Sequence, residues 1–94
     1  LIGTTQAIDE TFGSTCHGAG RLMSRTQAVK DARGRSIEAE LEKQGIIVMG
    51  RGHKSVAEEQ PAAYKDINDV VRVVHEAGIA KRVARMRPIG VIKG

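Results

Sequence analysis

The 94-residue sequence has no tryptophan, one tyrosine, one phenylalanine, two prolines and a single cysteine. A lone cysteine forms no internal disulfide, so nothing here asks for an oxidising compartment, and a cytoplasmic protein is expected. Two aromatic residues leave few large side chains for a core and no series of rings on which nucleic-acid bases would stack. Long apolar runs are also missing. The stretch 45–50 falls far short of the roughly 20 residues that span a bilayer, and no charged segment leads into an apolar one as in an export signal. A membrane protein is thereby excluded. So is a disordered chain, because helical periodicity and β-branched runs are both present. No repeat or Pro/Ser-rich linker divides the sequence, so 1–94 is expected to be a single segment. A chain this small buries only part of the surface its unfolded form exposes, and it starts at Leu1 rather than Met. Both features lead us to expect a piece of a longer polypeptide whose core is completed elsewhere.

What the sequence does have is segregated charge. The net charge of +4 divides into −2 over residues 1–16, +4 over 17–35, −3 over 36–76 and +5 over 77–94. If folding joins the two basic segments, they make one electropositive surface suited to phosphates or nucleic acid. Without such a meeting they are solvated surface residues.

Residues 1–20 contain four glycines and several Thr and Ser, and are expected to be irregular backbone or short strand, with helix the poor choice. Ser24 and Gln27 have capping-box spacing ahead of Ala28, Val29 and Ala32, which predicts a short helix ended by Gly34. A second helix is expected over 36–44, with Ile37 and Leu41 on one face and Gly45 as its stop. Residues 46–49 predict a buried strand. Ser55 and Glu58 repeat the capping-box spacing, but Pro61 limits that helix to about a turn and a half. The clearest helix starts after Asp66, places Ile67, Val70, Val71 and Val74 on one side and ends at Gly78. Residues 79–87 look strand-like, and 89–92 predict a last extended piece. The order of elements implies an α+β fold of short helices with mixed strands, in which a parallel sheet is possible but unforced.

The chemistry concentrates in residues 13–25. Cys16 and His17 stand at the edge of Gly18, Ala19 and Gly20, a small-residue loop that leads towards a helix start near Ser24. Glycines let backbone amides approach an anion closely, and Arg21 and Arg25 share a face if the helix begins early, so the stretch has the character of a phosphate cradle. A thiolate phosphatase loop requires C-x-x-x-x-x-R, and Cys16 to Arg21 is one residue short of it. Dinucleotide-binding and P-loop patterns do not fit either. His17 is then either a nucleophile, since a neutral imidazole is available near pH 7, or a hydrogen-bonding structural residue. Arg21 could instead pair with a carboxylate such as Asp9 or Glu10. Cys16, Met23, Met49 and Met86 are expected to be small or flexible core fillers, His53 a surface loop residue and His75 a surface residue of the long helix.

Residues 12–25, Phe-Gly-Ser-Thr-Cys-His-Gly-Ala-Gly-Arg-Leu-Met-Ser-Arg, resemble the signature of the RtcB family of RNA-splicing ligases. Residues 58–66, Glu-Glu-Gln-Pro-Ala-Ala-Tyr-Lys-Asp, resemble that family's Glu-Ala-Pro-x-Ala-Tyr-Lys-Asp segment, with Gln60 where Ala is common. The final Arg-Pro-Ile-Gly-Val-Ile-Lys-Gly, 87–94, resembles its C-terminus. Together the matches cover most of the chain, and they identify it as the C-terminal portion of a larger ligase catalytic domain.

The resemblance implies a GTP- and manganese-dependent ligase that joins RNA 3′-phosphate or 2′,3′-cyclic phosphate ends to 5′-hydroxyl ends through a covalent histidine-GMP, in tRNA splicing and RNA repair. It implies that His17 is the nucleophile, that Gly18, Ala19 and Gly20 lie against GMP, that Tyr64 lies beside the nucleotide and that Lys93 contacts guanine. Arg21 and Arg25 are implied near phosphates. Expected partners are tRNA exon halves or other broken RNA, the remainder of the ligase polypeptide and an activating protein such as archease. Three His and one Cys without ligand-like spacing do not make a manganese site, so its ligands are expected upstream and none in this chain. The competing expectation is a non-enzymatic basic module that binds RNA through the two positive segments.

Overall fold

A computed structural model describes residues 1–93. Their order of elements is β1 (Ile2–Gly3), α1 (Thr5–Thr11), α2 (Arg25–Asp31), α3 (Ile37–Glu42), β2 (Ile47–Gly50), α4 (His53–Glu58), a 3₁₀ turn (Pro61–Ala63), α5 (Ile67–Glu76), β3 (Ala80–Lys81) and β4 (Gly90–Lys93). The fold is α+β, with short helices and two small sheets, as the sequence predicts. The chain forms two compact units. One contains Leu1–Gly20 and Lys65–Met86; the other contains Arg21–Tyr64 and the segment from Arg87 onward.

In the first unit, β1 and β3 pair antiparallel, with Ile2 opposite Lys81 and Gly3 opposite Ala80. Helix α1 occupies a stretch expected to be irregular. The glycines of 1–20 all lie outside 4–12, and Thr4 caps the helix by accepting from the Ala7 amide, so a composition averaged over twenty residues concealed a seven-residue helix. The Thr4 hydroxyl also donates to the Gly78 carbonyl at 2.6 Å, tying the start of α1 to the end of α5. Asp66 caps α5 through the Asn68 amide, and Gly78 stops that helix at φ +76°, a conformation that disfavours any side chain. Beyond β3, the expected strand over 79–87 is not formed; only Ala80–Lys81 pairs.

The second unit is built on alanines and branched aliphatics. Ala32, Ile37 and Val56 form its buried cluster, with Leu41, Val48 and Ala57 packed against it. Helix α2 is capped by Ser24, which accepts from the Gln27 amide at 3.1 Å, and α3 by Ser36, which accepts from the Ala39 amide at 3.2 Å. Gly45 ends the α3 turn at φ +75°, and Arg87 closes it by donating to the Gln44 carbonyl at 2.6 Å. Helix α4 starts two residues before Ser55, which therefore sits inside it and donates to the Gly52 carbonyl instead of capping.

Strands β2 and β4 pair in parallel, with Ile47 opposite Gly90 and Gly50 opposite Lys93. The expectation that β2 is buried is corrected, since Ile47 and Met49 are exposed and Val48 is half-buried. Only one face of a two-stranded sheet is covered here, by Val48 reaching the Val56 cluster. At Gly50 a β-carbon would lie 2.8 Å from the Val56 Cγ2, so α4 approaches β2 there more closely than any other residue would allow. Met49 and Met86 are exposed, not core fillers. Among the described residues no helix is long and apolar enough to cross a membrane.

Candidate functional site

The site in the second unit begins with a buried amide. Gln60 is 1% exposed; its Nε2 donates to the Ala28 carbonyl of α2 at 2.8 Å and its Oε1 accepts from Arg35 at 3.4 Å. This pins the end of α4 to α2 and fixes where the following turn begins. Pro61 supplies the constrained φ of that turn, and Tyr64 leaves it in extended conformation. Tyr64 then bridges antiparallel to Arg21, while the amides of Leu22 and Met23 both donate to the Ala63 carbonyl, at 2.8 and 3.3 Å. Backbone pairing thus sets Arg21 beside Tyr64 across 43 positions of sequence.

Arg21 uses nearly its whole donor fork. Its Nε donates to the Met23 carbonyl at 3.0 Å, Nη1 to the Tyr64 hydroxyl at 3.0 Å and to Glu59 Oε1 at 3.2 Å, and Nη2 to the Glu58 carbonyl at 2.5 Å. Its guanidinium lies 4.9 Å from the Tyr64 ring centroid, within cation–π range. The Tyr64 hydroxyl in turn donates to Glu59 Oε2. Two further cations reach the same carboxylate: the Arg25 Nε lies 3.7 Å from Oε1, and the Lys93 Nζ 3.7 Å from Oε2. Arg25 is also 4.0 Å from Glu58.

Four residues singled out in the sequence, Arg21, Arg25, Tyr64 and Lys93, therefore meet around one acid. Arg21 and Arg25 do not share a helix face, because α2 begins only at Arg25 and Arg21 is held in the bridge to Tyr64. The carboxylate partner of Arg21 is Glu59, not Asp9 or Glu10. The hydrogen bond from Tyr64, followed by the charges of Lys93, Arg21 and Arg25, outweighs partial burial and holds the Glu59 carboxyl below the ordinary 4.5. The same hydrogen bond, with burial, raises the Tyr64 phenol above 10. Three cations against two carboxylates leave the cluster with excess positive charge. That excess is open to solvent at Arg25 and Lys93, whose side chains are 69% and 43% exposed, whereas Arg21 is mostly enclosed. Such a surface can receive an anion without first breaking the Arg21 network.

His17, Gly18, Ala19 and Gly20 belong to the other unit. Thr11 anchors the entry to their loop, its single hydroxyl proton placed between the Ala7 and Ser14 carbonyls, 2.9 and 2.6 Å from Oγ1. Between Ser14 and Gly20 the chain carries no helix or strand, and Gly20 turns it at φ +76° with its carbonyl accepting from the Lys65 amide at 2.9 Å. Cys16 is half-buried, while His17 and both glycines are exposed. His53 is not in a loop but opens α4, with Nδ1 2.9 Å from Glu38. His75 is half-buried on α5 and its Nδ1 accepts from the Arg82 amide at 3.4 Å. Among the described residues no group of three or more His, Cys, Asp or Glu could hold a metal ion, so these residues do not fit a manganese centre.

Glu59, the acid on which these side chains converge, was not singled out in the sequence. The one signal for it in the sequence is that it opens the Glu-x-Pro-x-Ala-Tyr stretch.

Residues 1–94 match the family model described as "tRNA-splicing ligase RtcB". The chain is 60% identical over its whole length to a tRNA-splicing ligase RtcB of Pyrococcus furiosus and 57% identical to one of Methanopyrus kandleri, covering 10% of each. It is 55% identical over its whole length to one of Archaeoglobus fulgidus, covering 20%. The chain thus spans between a tenth and a fifth of the length of these curated relatives.

Proposed function

Because the chain belongs to the tRNA-splicing ligase RtcB family, we propose that it is the C-terminal portion of a GTP- and manganese-dependent RNA ligase and supplies the nucleophilic histidine and part of the GMP pocket. The observation that carries this reading is the meeting of Arg21, Arg25, Tyr64 and Lys93 around Glu59, which makes a cationic, partly open site with one aromatic ring. Charge of that sign, next to a ring, suits a nucleotide better than a neutral substrate.

An imidazole nitrogen of His17 forms a bond to the α-phosphorus of GTP as the bond to the bridging oxygen breaks, releasing pyrophosphate and giving up the ring proton to solvent. An oxygen of an RNA 3′-phosphate then attacks that phosphorus, the P–N bond breaks, and the guanylyl group passes to the RNA end. A 5′-hydroxyl oxygen attacks the RNA 3′-phosphorus, its proton is lost, and GMP leaves with the strand sealed. A 2′,3′-cyclic phosphate is first opened by water. Transfers of this kind depend chiefly on positioning and neutralisation of phosphate charge. Arg21 and Arg25 serve the phosphates, Tyr64 lies beside the nucleotide, Lys93 contacts guanine, and the backbone of Gly18, Ala19 and Gly20 lies against GMP. The manganese ligands lie in the remainder of the polypeptide. The substrates are tRNA exon halves or other broken RNA, the partners include the remainder of the polypeptide and an activating protein such as archease, the site of action is the cytoplasm, and this segment alone is inactive.

The test is incubation of the complete polypeptide with α-labelled GTP and manganese. An acid-labile, alkali-stable label that disappears in His17→Ala is the expected result. A label that survives this substitution overturns the assignment. Salt-dependent RNA binding retained in His17→Ala, with no covalent label at any stage, would favour a basic RNA-binding module instead.

A further inference from the structure

The resemblance to known ligases assigns Arg21, Arg25, Tyr64 and Lys93 roles but says nothing of the acid they share. Glu59 caps the C-terminal end of α4, where its backbone is held by a bond from its own amide to the Val56 carbonyl at 3.1 Å and by the buried Gln60 that follows. Its side chain is 20% exposed and uses both oxygens. Oε1 takes Arg21 and Arg25; Oε2 takes Tyr64 and Lys93. The two oxygens thus receive different groups, both arginines on one and the tyrosine and lysine on the other, with Arg21 also bonded to the Tyr64 hydroxyl. Without the acid, Arg21, Arg25 and Lys93 would repel one another, and the two exposed side chains would spread into solvent. Arg21 would lose one of its contacts but keep the Met23 and Glu58 carbonyls and Tyr64. The cation most dependent on Glu59 is Lys93, for which Glu59 is the ion-pair partner among the described residues.

We propose that Glu59 is a positioning residue: one carboxylate holds the phosphate-side arginines and the base-side Lys93 at a fixed separation, and so sets the span of nucleotide the site accepts. The inference rests on the reading that these residues bind GTP. It makes Glu59 a determinant of nucleotide affinity and of guanine preference through Lys93, without contact to the reacting atoms. Both the charge and the reach of the side chain matter. Gln keeps the reach and can still accept from Tyr64 but cannot balance three cations; Asp keeps the charge but is one methylene shorter.

The experiment compares Glu59→Gln, Glu59→Asp and Lys93→Ala, and the double variant of Glu59→Gln with Lys93→Ala, in the complete polypeptide, measuring His17 guanylylation against GTP concentration and thermal unfolding. Glu59→Gln is expected to raise KM for GTP about tenfold, with a smaller fall in kcat, as expected for loss of one charge-assisted contact. Glu59→Asp should recover part of that loss. Lys93→Ala should cost much less in the Glu59→Gln background than in the wild type, because Lys93 is already unplaced. An unchanged KM, fully additive effects, or a KM change that only follows a lowered unfolding temperature would overturn the proposal. Should the wild type take no His17-dependent label, the ligase reading fails separately. Equilibrium dialysis of GTP against the same variants then decides Glu59: about tenfold weaker binding by Glu59→Gln supports its role, and equal binding ends it.

Discussion

The loop carrying His17 and the cluster around Glu59 are opposite solutions to placing charge-handling groups. The loop has glycine at two of its last three positions, no helix or strand after Ser14, and an exposed imidazole. The cluster has a bridge, a turn, a buried amide and an acid bonded on both oxygens. On the proposed function, His17 is modified and released in turn, which needs access and room to move. Groups that recognise a fixed anion gain most from being held in place beforehand, since every donor already oriented is one that binding need not order. Chemistry and stability should accordingly separate between the two regions.

The sharpest test of that separation is His17→Ala, which should reduce guanylylation to background in the complete polypeptide while moving the unfolding free energy by less than about 0.5 kcal/mol, because the side chain is exposed. A large loss of stability would erase the contrast. Next comes Gly50→Ala, on the strand beneath the cluster. Its β-carbon would press on the stiff Val56 side chain, and denaturant unfolding should show a loss of about 1–3 kcal/mol. Gln60→Ala should cost about 1–2 kcal/mol, since it leaves a small void and removes the amide from the Ala28 carbonyl, which retains its helical partner, the Ala32 amide, at 3.0 Å. Guanylylation at saturating GTP measures how far that loosening reaches Tyr64.

The smallest effect is on pH dependence. The Glu59 carboxyl is depressed by Tyr64 and the surrounding cations, so its contribution to stability is complete above 4.5 and is lost as pH falls through its lower native value. Tyr64 is raised by the same bond, so its share is complete below 10 and is lost as pH climbs through its higher native value. Glu59→Gln should flatten the acid limb of a stability profile measured by denaturant unfolding.

Local signals made much of the fold legible. Ser24, Ser36 and Asp66 cap helices where a short-range pattern places them, and Gly45 and Gly78 take the left-handed φ expected of helix stops. Helix α1 escaped because glycines at both ends of 1–20 outweighed the capped stretch between them. The partnership of β2 with β4 was not readable, because parallel strands pair over long separations and a half-exposed two-stranded sheet leaves no strong pattern in either strand. Of the site, each basic residue could be named singly from the sequence. The acid that joins them is marked only by its place in the Glu-x-Pro-x-Ala-Tyr stretch, because it lies 38 positions from Arg21 and a pair of glutamates near a helix end is ordinarily a solvated face.

The parallel ladder has a consequence for errors of folding. Along β4, Val91 and Lys93 point to one side and Gly90 and Ile92 to the other, so the side that delivers Lys93 to Glu59 is the side that places Val91 against Val48. A slip of one residue between β2 and β4 would send Ile92 inward and turn Lys93 to the opposite face. Apolar burial would hardly register the mistake, as valine and isoleucine are near equivalents, but the ion pair would be lost. Lys93 and Glu59 thus act as a register check on the last strand: an incorrectly seated terminus forfeits the Lys93–Glu59 pair before it loses much hydrophobic contact.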